Sequence, residues 1–256
     1  MIATLKQLRR KLGALPSGLT EKNKALLRKF DDVRLCEMFV QLPDRLWRQA
    51  RRDLPSKRAF IDLQSALAID LLIHVPLRME NLSALNFNEH LHWPQGCGKP
   101  ALVVFRVDET KNDIQLEFEI PKVLADRLHL YRNELAPAVT GKRPDAVFVT
   151  SSGRQRTQGA ITVAIEKAVL RSLGVKLTPH QFRHIAAKII LDANPGAYEL
   201  VRQLLGHRNM KTTTNFYAGI DTRRAGRAHA DLLMKLRDTK MGQGRHRRIV
   251  RPQEEQ

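Results

Sequence analysis

Apolar residues along the chain recur mostly at three- and four-residue spacing, the period of a helix with one buried stripe. In the first fifty residues this predicts a short helix over LKQLRRKL and a second over LTEKNKALLRKF, with Thr20 placed to cap it. A third helical run, DDVRLCEMFVQLPDRLWRQARRD, is broken by Pro43. Leu26, Leu27, Phe30, Leu35, Met38 and Phe39 fall on core-facing positions. After a break at Asp53-Leu54-Pro55-Ser56, SKRAFIDLQSALAIDLLIHV reads as an apolar helix that Pro76 ends. Arg78 follows at the junction with a further helical segment, MENLSAL, where a long side chain can be aimed into a cleft.

The period changes to two in one region. Residues 101–107 are rich in Val and Phe, and Ile114, Leu116, Phe118 and Ile120 alternate with Gln115, Glu117 and Glu119, as in a strand with one buried face. The polar run Asp108-Glu109-Thr110-Lys111-Asn112-Asp113 between them reads as a hairpin loop with Lys111 near its tip. Beyond it, residues 122–135 predict a helix, residues 146–150 a short strand, and residues 157–173 a helix closed by Gly174. The fold class is therefore mainly α with a small antiparallel β-sheet (α+β).

The most explicit start signal lies at Thr178. Threonine is a good N-cap, Pro179 suits the first helical position, and Gln181 completes a capping box three residues on. His180 and Arg183 share one face of that helix near its N-terminus, where an anion is favoured. Residues 193–196 end the helix, residues 198–205 form another, and Gly206 stops it just before His207. A short polar helix runs from Lys211 to Tyr217, and a basic helix is expected over residues 222–240.

Charge changes the picture. Forty-four Lys and Arg against 26 Asp and Glu give a formal net charge of +18, a field whose natural partner is a polyanion, nucleic acid by default. A solubility or membrane-surface role for that charge stays open at this point. The longest apolar run, residues 65–77, is interrupted by Asp70, His74 and Pro76, so it does not span a bilayer, and the N-terminal MIATLKQLRR lacks an apolar signal core. Cys36 and Cys97 fit neither a disulfide framework nor a CxxC site and are expected as reduced thiols of a cytoplasmic protein.

The candidate chemistry is assembled from Arg78, Lys111, His180, Arg183, His207 and Tyr217. Two guanidinium forks suit the non-bridging oxygens of a phosphodiester. Histidines move protons near neutral pH, and a lysine can neutralise charge and protonate a leaving alkoxide. A tyrosine surrounded by cations and a base is a nucleophile, so the set suits transesterification at phosphate, without a cofactor and in principle without a metal. Taken singly, each residue has a plainer reading: a half-buried core tyrosine, a satisfied histidine, a solvated loop lysine. His180 and His184 are also four apart, as in helical zinc sites. The HExxH form, however, has Glu where this chain has Gln181, and no carboxylate or cysteine cluster accompanies the pair, so no metal site is expected.

In order and spacing these residues resemble the tyrosine recombinases, the lambda-integrase-like site-specific recombinases. The resemblance covers residues 56–240 and rests on Arg78 in PLRMENLSAL, Lys111 in DETKND, His180 and Arg183 in LTPHQFRH, His207 in LLGHRN and Tyr217 in TTTNFY. It implies the tyrosine recombinase catalytic-domain fold and a metal-free cut-and-rejoin reaction on double-stranded DNA. Tyr217 would attack to give a 3′-phosphotyrosyl link and a free 5′-hydroxyl. Arg78 and Arg183 would hold the phosphate, with His207 adding a hydrogen bond, Lys111 as general acid and His180 as general base. It further implies an integrase of a mobile element, a monomer off DNA and a homo-tetramer on two synapsed sites, with the segment Thr222 to Leu236 packing on a neighbouring protomer. Type IB topoisomerase-like relaxation, or a DNA-binding regulator without turnover, are the alternatives. The family often carries an acid three positions after the first arginine, where this chain has Asn81. Residues 1–55 are expected as a basic helical segment, a remnant of or linker from the core-binding domain that usually precedes the catalytic domain, and residues 241–256 as a basic disordered tail. With so short a lead, the chain is expected to be a catalytic fragment of a longer recombinase or a minimal form.

Overall fold

The computed structural model describes residues 18–211, 213, 214, 217, 226 and 229–237. The expected helix over LKQLRRKL and the tail at 241–256 lie outside the described residues. Three helices open the fold: α1 (Glu21–Lys29), α2 (Val33–Val40) and α3 (Leu42–Arg52). Thr20 Oγ1 caps α1 by accepting from the Asn23 amide at 3.3 Å, and Asp32 caps α2 in the same way through Arg34 at 2.9 Å. Pro43 lies in the first turn of α3, where its missing N–H costs nothing, so it starts a helix where the previous one has stopped.

At the centre stands α4 (Lys57–His74), whose N-cap Ser56 accepts from the Ala59 amide at 3.1 Å. From Leu63 to Leu72 every residue of it is buried, so it is apolar almost all round and functions as the pillar on which the other elements pack. The opening helices share its core: Phe39 packs on Phe30 and on Phe182, each pair of ring centroids 5.3 Å apart, and Trp47 is 5% exposed. The Lys188 ammonium adds an ion pair to Asp31 at 2.7 Å and another to Asp192 at 2.6 Å.

After α5 (Met79–Ala84) comes a three-stranded antiparallel sheet of β1 (Leu91–His92), β2 (Ala101–Phe105) and β3 (Leu116–Ile120), in that order. Ala101 pairs with Ile120, Val103 with Phe118 and Phe105 with Leu116, and the inward residues of β2 are buried. In the sequence, Val and Phe richness marked β2 and alternation marked β3. The two-residue β1 is too short to show a period.

Two sequence expectations change. The helix expected over residues 122–135 is α6 (Lys122–Leu130) followed by a π-helical turn, Tyr131–Leu135, and then α7 (Ala136–Thr140). Pro137 sits in the first turn of α7, and a wide turn ahead of it relieves the clash its ring would make with the carbonyl four residues earlier. The strand expected over residues 146–150 is replaced by isolated bridges, Asn86 with Ala146 and Val149 with Gln155, with the chain bending between them. Its backbone is satisfied elsewhere: the buried Gln64 amide donates to the Val149 carbonyl at 2.8 Å and accepts from the Val149 N–H at 3.0 Å. The remaining helices are α8 (Gln158–Leu173), closed by Gly174 at φ 66°, α9 (Pro179–Ala193) and α10 (Tyr198–Leu204). Residues 229–237 are helical and exposed.

Candidate active site

The start of α9 is fixed from two sides. The Gln181 side chain accepts from the Thr178 amide at 2.9 Å, as the capping box requires, and donates to Asn23 of α1 at 3.0 Å. Arg183, one turn in, is 5% exposed. Its Nη1 donates to the Pro76 carbonyl and its Nη2 to the Leu205 carbonyl, the latter at 2.6 Å. Pro76 precedes Arg78 by two residues and Leu205 precedes His207 by two, so one guanidinium joins the three segments that carry the charged groups.

Arg78 is half-buried at the N-cap of α5 and close enough to Arg183, His180 and His207 to lower the pKa of each. Burial first, and then Arg78, bring the Arg183 guanidinium down to about 10, so it remains charged at neutral pH. Among the described residues no carboxylate forms an ion pair with Arg78 or Arg183. Two neighbouring guanidiniums, one of them deeply buried, without an acid between them are an arrangement that an anion stabilises.

Gly206 turns the chain at φ 58° and delivers His207, whose Nδ1 is 2.9 Å from the hydroxyl of the fully buried Thr213. Arg202 braces the same turn, donating to the His207 carbonyl at 2.8 Å and accepting from its amide at 3.0 Å. Burial, then Arg183, Arg78 and His180, push the His207 imidazole down to about 4, so it is neutral at pH 7. If the Thr213 hydroxyl donates to Nδ1, Nε2 carries the proton and is a donor to an incoming oxygen.

Tyr217 is 1% exposed, and burial raises its hydroxyl pKa well above the usual value, against a smaller lowering by Arg183. Its oxygen lies 3.1 Å from Nδ1 of His184, a buried residue of α9. Burial and the neighbouring His180, Arg183 and His207 depress His184 to about 4. The rings of His180 and His184 meet edge to face at 4.9 Å. Burial, Arg183 and Arg78 lower His180 as well, although much of its surface remains open to solvent.

Arg78, His180, Arg183, His207 and Tyr217 are thus brought together. Lys111 stands exposed in the turn between β2 and β3 and has no hydrogen bond or ion pair with a described residue. Its loop is nonetheless docked on the same turn, because Asn112 Nδ2 donates to the Gly206 carbonyl at 2.5 Å. In the sequence His184 stood only as a zinc-type partner of His180; the same four-residue spacing, which puts the two rings on one helical face, was the signal that it faces the site. Thr213 carried no signal.

Among the described residues, Glu89, His90 and Glu109 bring ligand-type atoms within 4.8 Å of one another. His90 Nδ1 accepts from the Asn86 amide at 3.0 Å, so Nε2 bears the proton and donates to Glu109 at 3.2 Å. That nitrogen is occupied as a donor, which makes the group a structural clasp and not a metal centre.

This is the fold of a tyrosine recombinase catalytic domain. Residues 53–224 match the model of the Phage integrase family, and the chain belongs to that family. Among curated relatives, tyrosine recombinase XerC of Pseudomonas fluorescens (strain Pf0-1) is 39% identical over 84 residues, 33% of this chain and 27% of that protein. Tyrosine recombinase XerC of Pseudomonas aeruginosa (strain PAO1) is 29% identical over 165 residues, 63% of this chain and 49% of that protein. The chain thus spans at most about half the length of these relatives. Among solved structures, the XerH site-specific recombinase bound to palindromic difH substrate, a post-cleavage complex, aligns with a TM-score of 0.57 at 17% identity. That alignment covers 85% of this chain and 53% of the other.

Proposed function

We propose that the chain breaks and rejoins duplex DNA by transesterification, as a site-specific recombinase. The observation that carries this reading is the pair of guanidiniums, Arg78 and Arg183, that lack an acid partner among the described residues and lie beside His207 and Tyr217. In the proposed step the Tyr217 oxygen bonds to the scissile phosphorus and the bond to the 5′-oxygen breaks. The phenolic proton passes to the histidine pair, of which His184 touches the hydroxyl and His180 reaches solvent. Lys111 protonates the departing 5′-oxygen, and Arg78, Arg183 and His207 stabilise the charge on the non-bridging oxygens. Attack of a 5′-hydroxyl from a second strand reverses the step and conserves the bond energy.

Integration or excision of a mobile element is the role we assign, in keeping with the family to which the chain belongs. Four protomers on two synapsed sites would act in alternating pairs. The exposed Leu232, Leu233, Met234 and Leu236 supply an apolar face for contact with a neighbouring protomer.

The test is a nicked suicide duplex carrying a site selected by binding from a randomised library, incubated in EDTA and scored for a covalent protein–DNA complex. The wild type is expected to trap DNA and Tyr217→Phe to trap none. Trapping by Tyr217→Phe would remove the nucleophile assignment, and no trapping by the wild type would remove the activity.

A further inference from the structure

The loop that presents Lys111 is anchored at its base by a residue of the helix that Arg78 begins. Asn81 is 4% exposed, and its Nδ2 donates to the Glu109 backbone carbonyl at 2.9 Å. Glu109 is itself immobilised: its carboxylate accepts from the Arg106 amide at 2.7 Å, from the Arg106 guanidinium at 3.1 Å and from His90 Nε2 at 3.2 Å. Lys111 follows two residues later, and Asn112 carries the far side of the loop onto Gly206. The buried amide therefore links the half-turn of α5 that positions Arg78 to the loop that positions Lys111.

We propose that Asn81 is a positioning residue for Lys111, setting the height of its ammonium over the phosphate that Arg78 holds. The contact needs a donor at position 81, because the partner is a carbonyl oxygen. An aspartate of nearly the same volume would place a carboxylate against that oxygen and push the loop away. The aligned geometry matters because a proton delivered to a leaving oxygen must come from within hydrogen-bond reach, and a displacement of about 1 Å can cost on the order of 100-fold in rate.

This inference rests on the proposed cleavage reaction, so its test has one readout that needs no catalysis. Hydrogen exchange of the amides from Glu109 to Ile114 should be on the order of tenfold faster in Asn81→Asp than in the wild type and unchanged in Lys111→Ala. Unchanged exchange in Asn81→Asp overturns the inference. In cleavage, Asn81→Asp and Lys111→Ala should both be slow on an ordinary phosphodiester. Both should recover on a duplex whose leaving 5′-oxygen is replaced by sulfur, which departs without a proton. A residue that merely stabilises the fold would show no such selective recovery. If Lys111→Ala recovers and Asn81→Asp does not, the positioning role is wrong while the reaction stands; if neither the wild type nor the variants cleave, the reaction itself is wrong. Should Asn81→Asp fail to fold, Asn81→Ser, a donor too short to reach the carbonyl, carries the same measurements.

Discussion

The hydroxyl of Tyr217 rests 3.1 Å from Nδ1 of His184, one helical turn beyond the histidine whose motif marks the family signature. If His184 accepts the phenolic proton, His184→Phe should slow single-turnover cleavage by on the order of 100-fold or more, with DNA affinity unchanged. His184→Gln, which keeps a hydrogen-bond partner for the hydroxyl, should hold Tyr217 in place and lose only the proton transfer. Full activity of His184→Phe beside an inactive His180→Phe would return the base to His180.

Stability should fall on mild acidification. His184 and His207 are held near 4 in the folded chain, by burial first and by neighbouring cationic groups second, against about 6.5 when unfolded. Between these values the unfolded chain binds protons that the folded chain refuses. The stabilisation is therefore complete above about pH 6.5 and drains away as pH drops toward 4. His74 works in the opposite sense, its pKa raised by Asp70, and offsets a part. Urea unfolding at pH 7 and pH 5 reads the difference, and His184→Gln should make the slope shallower.

Arg183→Lys should be damaging even though the charge is kept. A lysine cannot span the Pro76 and Leu205 carbonyls that the guanidinium joins, so one buried acceptor loses its partner, at a cost of about 2 kcal/mol in unfolding free energy. Cleavage should fall by on the order of 100-fold at DNA concentrations that saturate binding.

Gly206→Ala tests the turn that carries His207. At φ 58° a side chain costs about 1–2 kcal/mol, measurable by denaturation. A Cβ there would meet Leu116 Cδ2 at 2.8 Å, the end of a flexible side chain of β3 that must shift to make room. Because Asn112 donates to the carbonyl of the same residue, the variant should lose cleavage out of proportion to its loss of stability.

Phe39→Ala should destabilise the whole chain by about 3–5 kcal/mol, in a single transition with the rest of the fold, because its ring packs on Phe182 in the same turn of α9 as Arg183. A separate low-temperature transition in circular dichroism would mean that the opening helices unfold by themselves.

Four of the helices were readable because their caps are explicit: Thr20, Ser56, Thr157 and Thr178 each begin a helix where the residue type predicts it. The sheet was readable from the alternation of β3. What escaped has physical reasons. The π-helical turn at Tyr131 keeps helical periodicity in sequence, so only the later Pro137 hinted at it. The Val149 segment looks like a strand because its residues are β-formers, yet its ladder partner is the side chain of Gln64, which no local pattern records. In the site, motif spacing indicated which residues belong together but not which atoms touch. His184, Asn81 and Asn112 earn their places through contacts across 33, 28 and 94 residues of sequence, respectively.

The bond from Arg183 to two backbone carbonyls has a consequence for the cell as much as for the enzyme. Pro76 and Leu205 lie far apart in sequence, and Tyr217 is synthesised after both. A nascent, misfolded or proteolysed chain therefore cannot gather Arg78, Arg183 and Tyr217. On the proposed chemistry, the chain becomes reactive toward DNA only once it has folded.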